Sequence, residues 1–279
     1  MFKKIFIIIF LIAGFIIAHN FYSHTTTPIT NLDSAETSIF SEFFTPKDEV
    51  PLVDPQQAPA DIKKLVLRGY DIFCETNKSL PNNVRAKMDC ASCHLAAGNT
   101  LGGKKGGIPL VGITLIYPQM KKGEEYTLKD RVNDCFKRSM NGVPLDEQSP
   151  EMNALISYMT WISSSVPKDS KVPWMGIKKL KSDHVPDPIN GKEIFAMKCA
   201  PCHGADGQGQ PRKYDLSYPP LWGPESFNDS AGMNDIDKIS AFVFMNMPYT
   251  EPDLTIEQAL DVSAYVTGQP RPKLNPPEK

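Results

Sequence analysis

The chain lacks any excess of positive charge: 30 Lys and Arg stand against 32 Asp and Glu, a formal net charge of −2. That balance excludes the basic surface on which phosphate binding depends, so no nucleic-acid partner is expected. It also lacks an apolar run long enough for an ordinary membrane span. The longest candidate, Ile5 to Ala18, follows Lys3 and Lys4 and reads as the apolar part of an export signal or a short N-terminal anchor. A periplasmic location follows as the expectation. The 25 prolines leave little room for an extensive sheet, which favours short helices joined by ordered loops, with something besides side chains filling part of the core.

Cysteine is scarce too, at six residues, yet four of them fall into two copies of one pattern: Cys90-Ala-Ser-Cys93-His94 and Cys199-Ala-Pro-Cys202-His203. Two thiols at this spacing can add across the two vinyl groups of a haem, and the adjacent histidine then reaches the iron from one face. A thiol redox pair or half a zinc site also uses Cys-x-x-Cys. Two copies, each followed at once by histidine and set behind an export-like start, favour two covalently attached c-type haems.

The surroundings of the motifs repeat as well. Gly69, Ile72 and Phe73 precede the first, and Gly191, Ile194 and Phe195 precede the second; Tyr158 and Tyr265 follow them. The expected fold is mainly α, two tandem cytochrome c-type domains whose first and last helices cross at a glycine, with Phe and Tyr beside the crossing. The expected segments are a signal or anchor over 1–18, an N-terminal extension over 19–58, a first domain over 59–165, a linker over 166–186 and a second domain over 187–279. Helix starts are readable at Pro59, Thr127, Ser149, Asp187 and Thr255. Residues 74 to 89 read as an insertion in the first half, and the glycines between Gly98 and Gly107 as a loop around its haem.

Each iron needs a sixth ligand opposite its histidine. In the second half Met247, stiffened by Pro248, is favoured over Met245. In the first half, spacing favours Met140, whereas helical periodicity sets Cys135 at the edge of an apolar stripe formed by Leu128, Val132 and Phe136. Arg131 and Arg138 stand one turn to either side of it, and nearby cations favour thiolate. Cys135 can equally be a buried thiol or a disulfide partner of Cys74, and the arginines can pair with Asp134 and Glu147. The residues alone leave this choice open.

The stretch Asp130-Arg-Val-Asn-Asp-Cys-Phe-Lys-Arg-Ser-Met-Asn-Gly142, taken with both haem motifs, Tyr218-Pro-Pro-Leu-Trp-Gly-Pro-Glu-Ser-Phe227 and Asn246-Met-Pro248, resembles the dihaem thiosulfate dehydrogenases. Some members of that family work as tetrathionate reductases. The resemblance implies Cys135 as distal ligand of the first haem, Met247 as ligand of the second and Arg131 at the substrate site, with Met140 left to packing. It also implies Lys121 at a pocket position where an arginine is expected, which weakens bidentate anion binding there. Arg138 is a further basic candidate. The implied reaction joins two thiosulfate ions into tetrathionate, reversibly, by way of a sulfur adduct of Cys135, and passes two electrons to a soluble or membrane-bound cytochrome c. A non-catalytic dihaem carrier is the rival and would put methionine on both irons. A cytochrome that loads thiosulfate onto a carrier protein is a second rival.

Overall fold

The computed structural model describes residues 50–213 and 216–274. The export-type segment and residues 19–49 of the expected extension lie outside these. No helix among the described residues is long and apolar enough to cross a membrane.

In the first half, α1 (Ala60–Cys74) and α2 (Thr76–Ser79) precede the first haem motif, and α3 (Leu128–Arg138) and α4 (Pro150–Ile162) follow it. In the second, α5 (Pro188–Ile194) continues through a π-turn over Phe195–Cys199 into α6 (Ala200–His203), and α7 (Ile236–Asn246) and α8 (Ile256–Thr267) complete the half. Among the described residues, strand content is limited to two antiparallel hairpins, β1 (Gln119–Lys121) with β2 (Glu124–Tyr126) and β3 (Gln210–Lys213) with β4 (Leu216–Tyr218).

The helix starts follow from their caps. Thr127 accepts from the Asp130 N–H while Asp130 reaches back to the Thr127 N–H, and Thr255 with Gln258 repeats this capping box. Ser149 and Asp187 cap helices whose first residue is proline, where a missing N–H costs nothing.

The two halves are then built around the same crossing. A Cβ on Gly69 would lie 2.0 Å from the Ala154 carbonyl oxygen, and one on Gly191 would lie 2.0 Å from that of Asp261. Only hydrogen permits α1 to touch α4, and α5 to touch α8, at this distance. Beside each crossing the aromatic pair is set alike: ring centroids of Phe73 and Tyr158 are 5.6 Å apart, as are those of Phe195 and Tyr265. Expectation and structure agree here in detail.

They differ around the edges. The segment expected as a linker is a strap laid on the first half: Val166 and Leu180 are buried, and the Trp174 indole donates to the Val111 carbonyl at 2.8 Å. Residues 50–58 of the expected extension also touch the first half, for Ala58 is buried and the Trp161 indole donates to the Asp54 carbonyl. The inserted stretch after Cys74 supplies Leu80, Val84, Ala86 and Met88 to the core. Phe227 and Ala231, from the second half of the sequence, finish the first half's core, so the halves share packing across the boundary at 187.

Candidate functional site

The first histidine motif opens onto a cavity of about 340 Å³. Its lining brings Cys90, Cys93 and His94 together with Arg131, Cys135 and Phe136 of α3. Thr76, fully buried, accepts from the Cys90 N–H at 3.0 Å, and Asp89 accepts from the Asn77 N–H at 2.9 Å, so the insertion pins the motif in place. His94 Nδ1 lies 2.8 Å from the Ile108 carbonyl, which can only accept; Nδ1 therefore carries the proton and Nε2 keeps its lone pair. Burial lowers the His94 pKa to about 4, holding the ring neutral as an iron ligand requires. An apolar cavity lined by paired thiols, a neutral imidazole and a further sulfur fits a covalently bound haem.

The capping box and apolar stripe of α3 turn Cys135 toward this space. Arg131, one turn earlier, places Nη1 2.9 Å from Cys135 Sγ. Charge on that sulfur raises the Arg131 pKa above its already high value, against the opposing effect of burial. Tyr117 lines the same cavity, its hydroxyl pushed up chiefly by burial. Met140 is buried and also lines the cavity, so geometry alone keeps both sixth-ligand candidates beside the motif.

The other two basic candidates stand differently. Asp134 receives Arg138 Nη2 at 2.7 Å, Lys137 Nζ at 3.0 Å and Lys121 Nζ at 3.7 Å, and accepts from the Tyr126 hydroxyl at 2.7 Å. Burial pushes the Asp134 pKa up, but the Tyr126 hydrogen bond and the cations outweigh it and leave the carboxyl below its usual range. Lys121 and Arg138 are thus gathered on one carboxylate, while Arg131 alone turns to the cavity sulfur. No disulfide forms among the described cysteines, Cys74 and Cys135 included. Sequence reasoning missed Tyr117, Tyr126 and the strap residue Met175, which lines the cavity. Their only signals were aromatic residues around a Lys-Gly turn and a tryptophan in a supposed linker.

The second motif is framed in the same way. His203 Nδ1 lies 2.9 Å from the Pro219 carbonyl, and burial lowers its pKa. Ile194, Phe195, Trp222 and Val262 form the core around Cys199, while Cys202 is exposed. Met247 is the C-cap of α7, a helix missed in the sequence although Asp235 caps it and Ile236, Ile239 and Val243 share its apolar face. Met245, the other candidate, is buried.

Comparison with known proteins bears on both halves. The cytochrome c family model matches residues 189–269. A thiosulfate dehydrogenase of Psychrobacter arcticus is 38% identical over 231 residues, covering 81% of this chain and 69% of the relative. The chain belongs to the thiosulfate dehydrogenase family. Another member, from Allochromatium vinosum, is 35% identical over 216 residues, covering 76% of this chain and 80% of that one. Among solved structures, thiosulfate dehydrogenase (TsdBA) from Marichromatium purpuratum in its "as isolated" form superposes with a TM-score of 0.73 at 28% identity. That match covers 82% of this chain and 50% of the solved one. The protein is accordingly a mainly α cytochrome with covalently bound c-type haems in tandem domains.

Proposed function

We propose that this protein oxidises thiosulfate, joining two ions into tetrathionate at the first site. The observation that carries this reading is the Arg131 and Cys135 pair, 2.9 Å apart on the wall of the cavity that holds the first haem motif. Cys90 and Cys93 would hold one haem, with His94 and Cys135 as the donors available to its iron, and Cys199 and Cys202 would hold the other, with His203 and Met247. The haems supply an electron sink, one electron each.

The remaining chemistry belongs to this chain's own side chains. Arg131 attracts a sulfur oxoanion by charge and can hydrogen-bond its oxygens, while its guanidinium also donates to the Cys135 sulfur. A bond forms between Cys135 Sγ and the outer sulfur of one thiosulfate, with loss of two electrons. The outer sulfur of a second thiosulfate then attacks that bonded sulfur, tetrathionate departs, and Cys135 leaves as thiolate, so this step is redox-neutral. Two dianions must approach one another, and Arg131 offsets part of their repulsion. Run backward, the same steps reduce tetrathionate.

The electrons leave through an external cytochrome acceptor, and the export-type start makes the periplasm the place of action. Cys135→Ala in the dihaem protein, assayed with thiosulfate and ferricyanide, tests the reading. Loss of oxidation together with a changed spectrum of the first haem is expected. An unchanged rate refutes it.

A further inference from the structure

Asn246 precedes Met247 in the chain and is buried, with 2% of its surface exposed. Its Nδ2 donates to the Phe242 carbonyl one turn back in α7 at 2.8 Å, and its Oδ1 accepts from the Gly107 N–H in the other half at 2.8 Å. A carbonyl faces one end of the amide and an N–H the other, so only one orientation satisfies both. Gly107 is followed by Ile108, whose N–H donates to the Cys93 carbonyl at 3.1 Å and whose own carbonyl holds His94 Nδ1 at 2.8 Å. Two consecutive residues thus grip the segment that carries Met247 and the last two residues of the first histidine motif. The Lys105 N–H adds a parallel bond to the Met245 carbonyl at 3.0 Å. Gly107 sits at φ +65°, and a Cβ there would meet the Leu95 nitrogen at 2.5 Å, so the bridge has no slack for another residue.

We propose that Asn246 is a positioning residue that makes the two haem sites respond to each other. The acceptor opposite a ligating histidine sets that ring's orientation and its strength as a donor, and so the potential of its metal. Any movement of the α7 C-terminus at Met247 reaches Gly107 through the Asn246 amide and passes one residue on to the carbonyl that holds His94. The route runs the other way equally, since a coupling between two sites is reciprocal. This rests on His94 and Met247 facing the two irons, as proposed above.

The test uses the dihaem protein and follows each haem separately in a spectroscopic redox titration. Asn246→Ala is expected to shift the reduction equilibrium of the first haem roughly tenfold, 59 mV for a one-electron couple, while the near-infrared methionine band of the second persists. Lys105→Ala, which keeps the backbone bond and removes the exposed amine with its 3.4 Å bond to the Thr250 carbonyl, is expected to shift neither, because that bond bypasses Asn246 and Gly107. A first-haem midpoint unmoved by Asn246→Ala overturns the bridge and leaves the ligand reading standing. A wild-type protein without the methionine band removes both. Should Asn246→Ala yield no dihaem protein, amide exchange in the wild type decides: reduction of the second haem alone must change the protection of residues 104–108, and unchanged protection overturns the proposal.

Discussion

Arg131 Nη1 meets Cys135 Sγ at 2.9 Å, whereas Arg138, on the same helix, turns from that sulfur to Asp134. Two arginines one turn to either side of a cysteine therefore have separate tasks. Arg131→Gln is expected to lower kcat/KM for thiosulfate on the order of 100-fold, the scale on which truncating one partner of a desolvated charge pair is felt. Arg131→Lys should recover only part of this, because an ammonium cannot face a sulfur and an oxoanion with a planar fork. Steady-state rates with ferricyanide check both.

Asp134 neutralises cations that would otherwise face the same anion. With side chains of Lys121 and Lys137 about half exposed, each pair contributes little to stability, so the larger consequence is for charge at the pocket. Asp134→Asn is expected to lower KM for thiosulfate several-fold at low ionic strength, and the gain should fade as the Debye length falls toward ~8 Å at 0.15 M salt. A KM insensitive to salt in both proteins would show that these cations lie too far from the substrate to matter.

Gly191 tests the shared helix crossing. A methyl group there would meet the Asp261 carbonyl at 2.0 Å, which α5 can avoid only by moving off α8. Gly191→Ala should cost about 1–3 kcal/mol or more, the usual penalty of overpacking. Gly232, where the nearest atom to an added Cβ is 3.9 Å away, is the control: Gly232→Ala should be neutral or slightly stabilising. Urea unfolding of the two holoproteins gives the comparison.

These crossings were legible in the sequence because the glycine and the aromatic each leave a local signature that occurs twice. Caps were legible for a similar reason: Thr127 and Asp130 are three residues apart, and their hydrogen bonds need nothing else. What escaped notice depends on groups distant in sequence. Asp134 draws in Lys121 only because the β1 and β2 hairpin folds back over α3, and Trp174 anchors the supposed linker through Val111, a carbonyl that no pattern marks. The Asn246 amide is silent in sequence for the same reason, since both of its partners are backbone atoms.

Asp261 gives the last prediction, a dependence of stability on pH. It is buried in α8, and its carboxylate accepts from the Asp187 N–H at 2.7 Å, His184 Nε2 at 2.6 Å and Asn190 Nδ2 at 2.7 Å, tying the end of the strap to the second half. Burial pushes its pKa up, but the hydrogen bonds outweigh it and hold the carboxyl below its ordinary range. A carboxyl of this kind binds its proton more tightly when the chain unfolds. Its contribution is complete above the unfolded value, about 3.9, and is lost as pH falls through the lower folded value. Asp261→Asn is therefore expected to be less stable than the parent by about 1–3 kcal/mol at pH 7, where the carboxylate's three hydrogen bonds are replaced by an amide that can satisfy only some of the same donors. Below about pH 4 the two curves should converge, because the parent alone loses the contribution of this group. Urea unfolding at a series of pH values measures the gap directly; a gap that stayed constant down to pH 2 would mean that the carboxylate charge has no part in holding the strap.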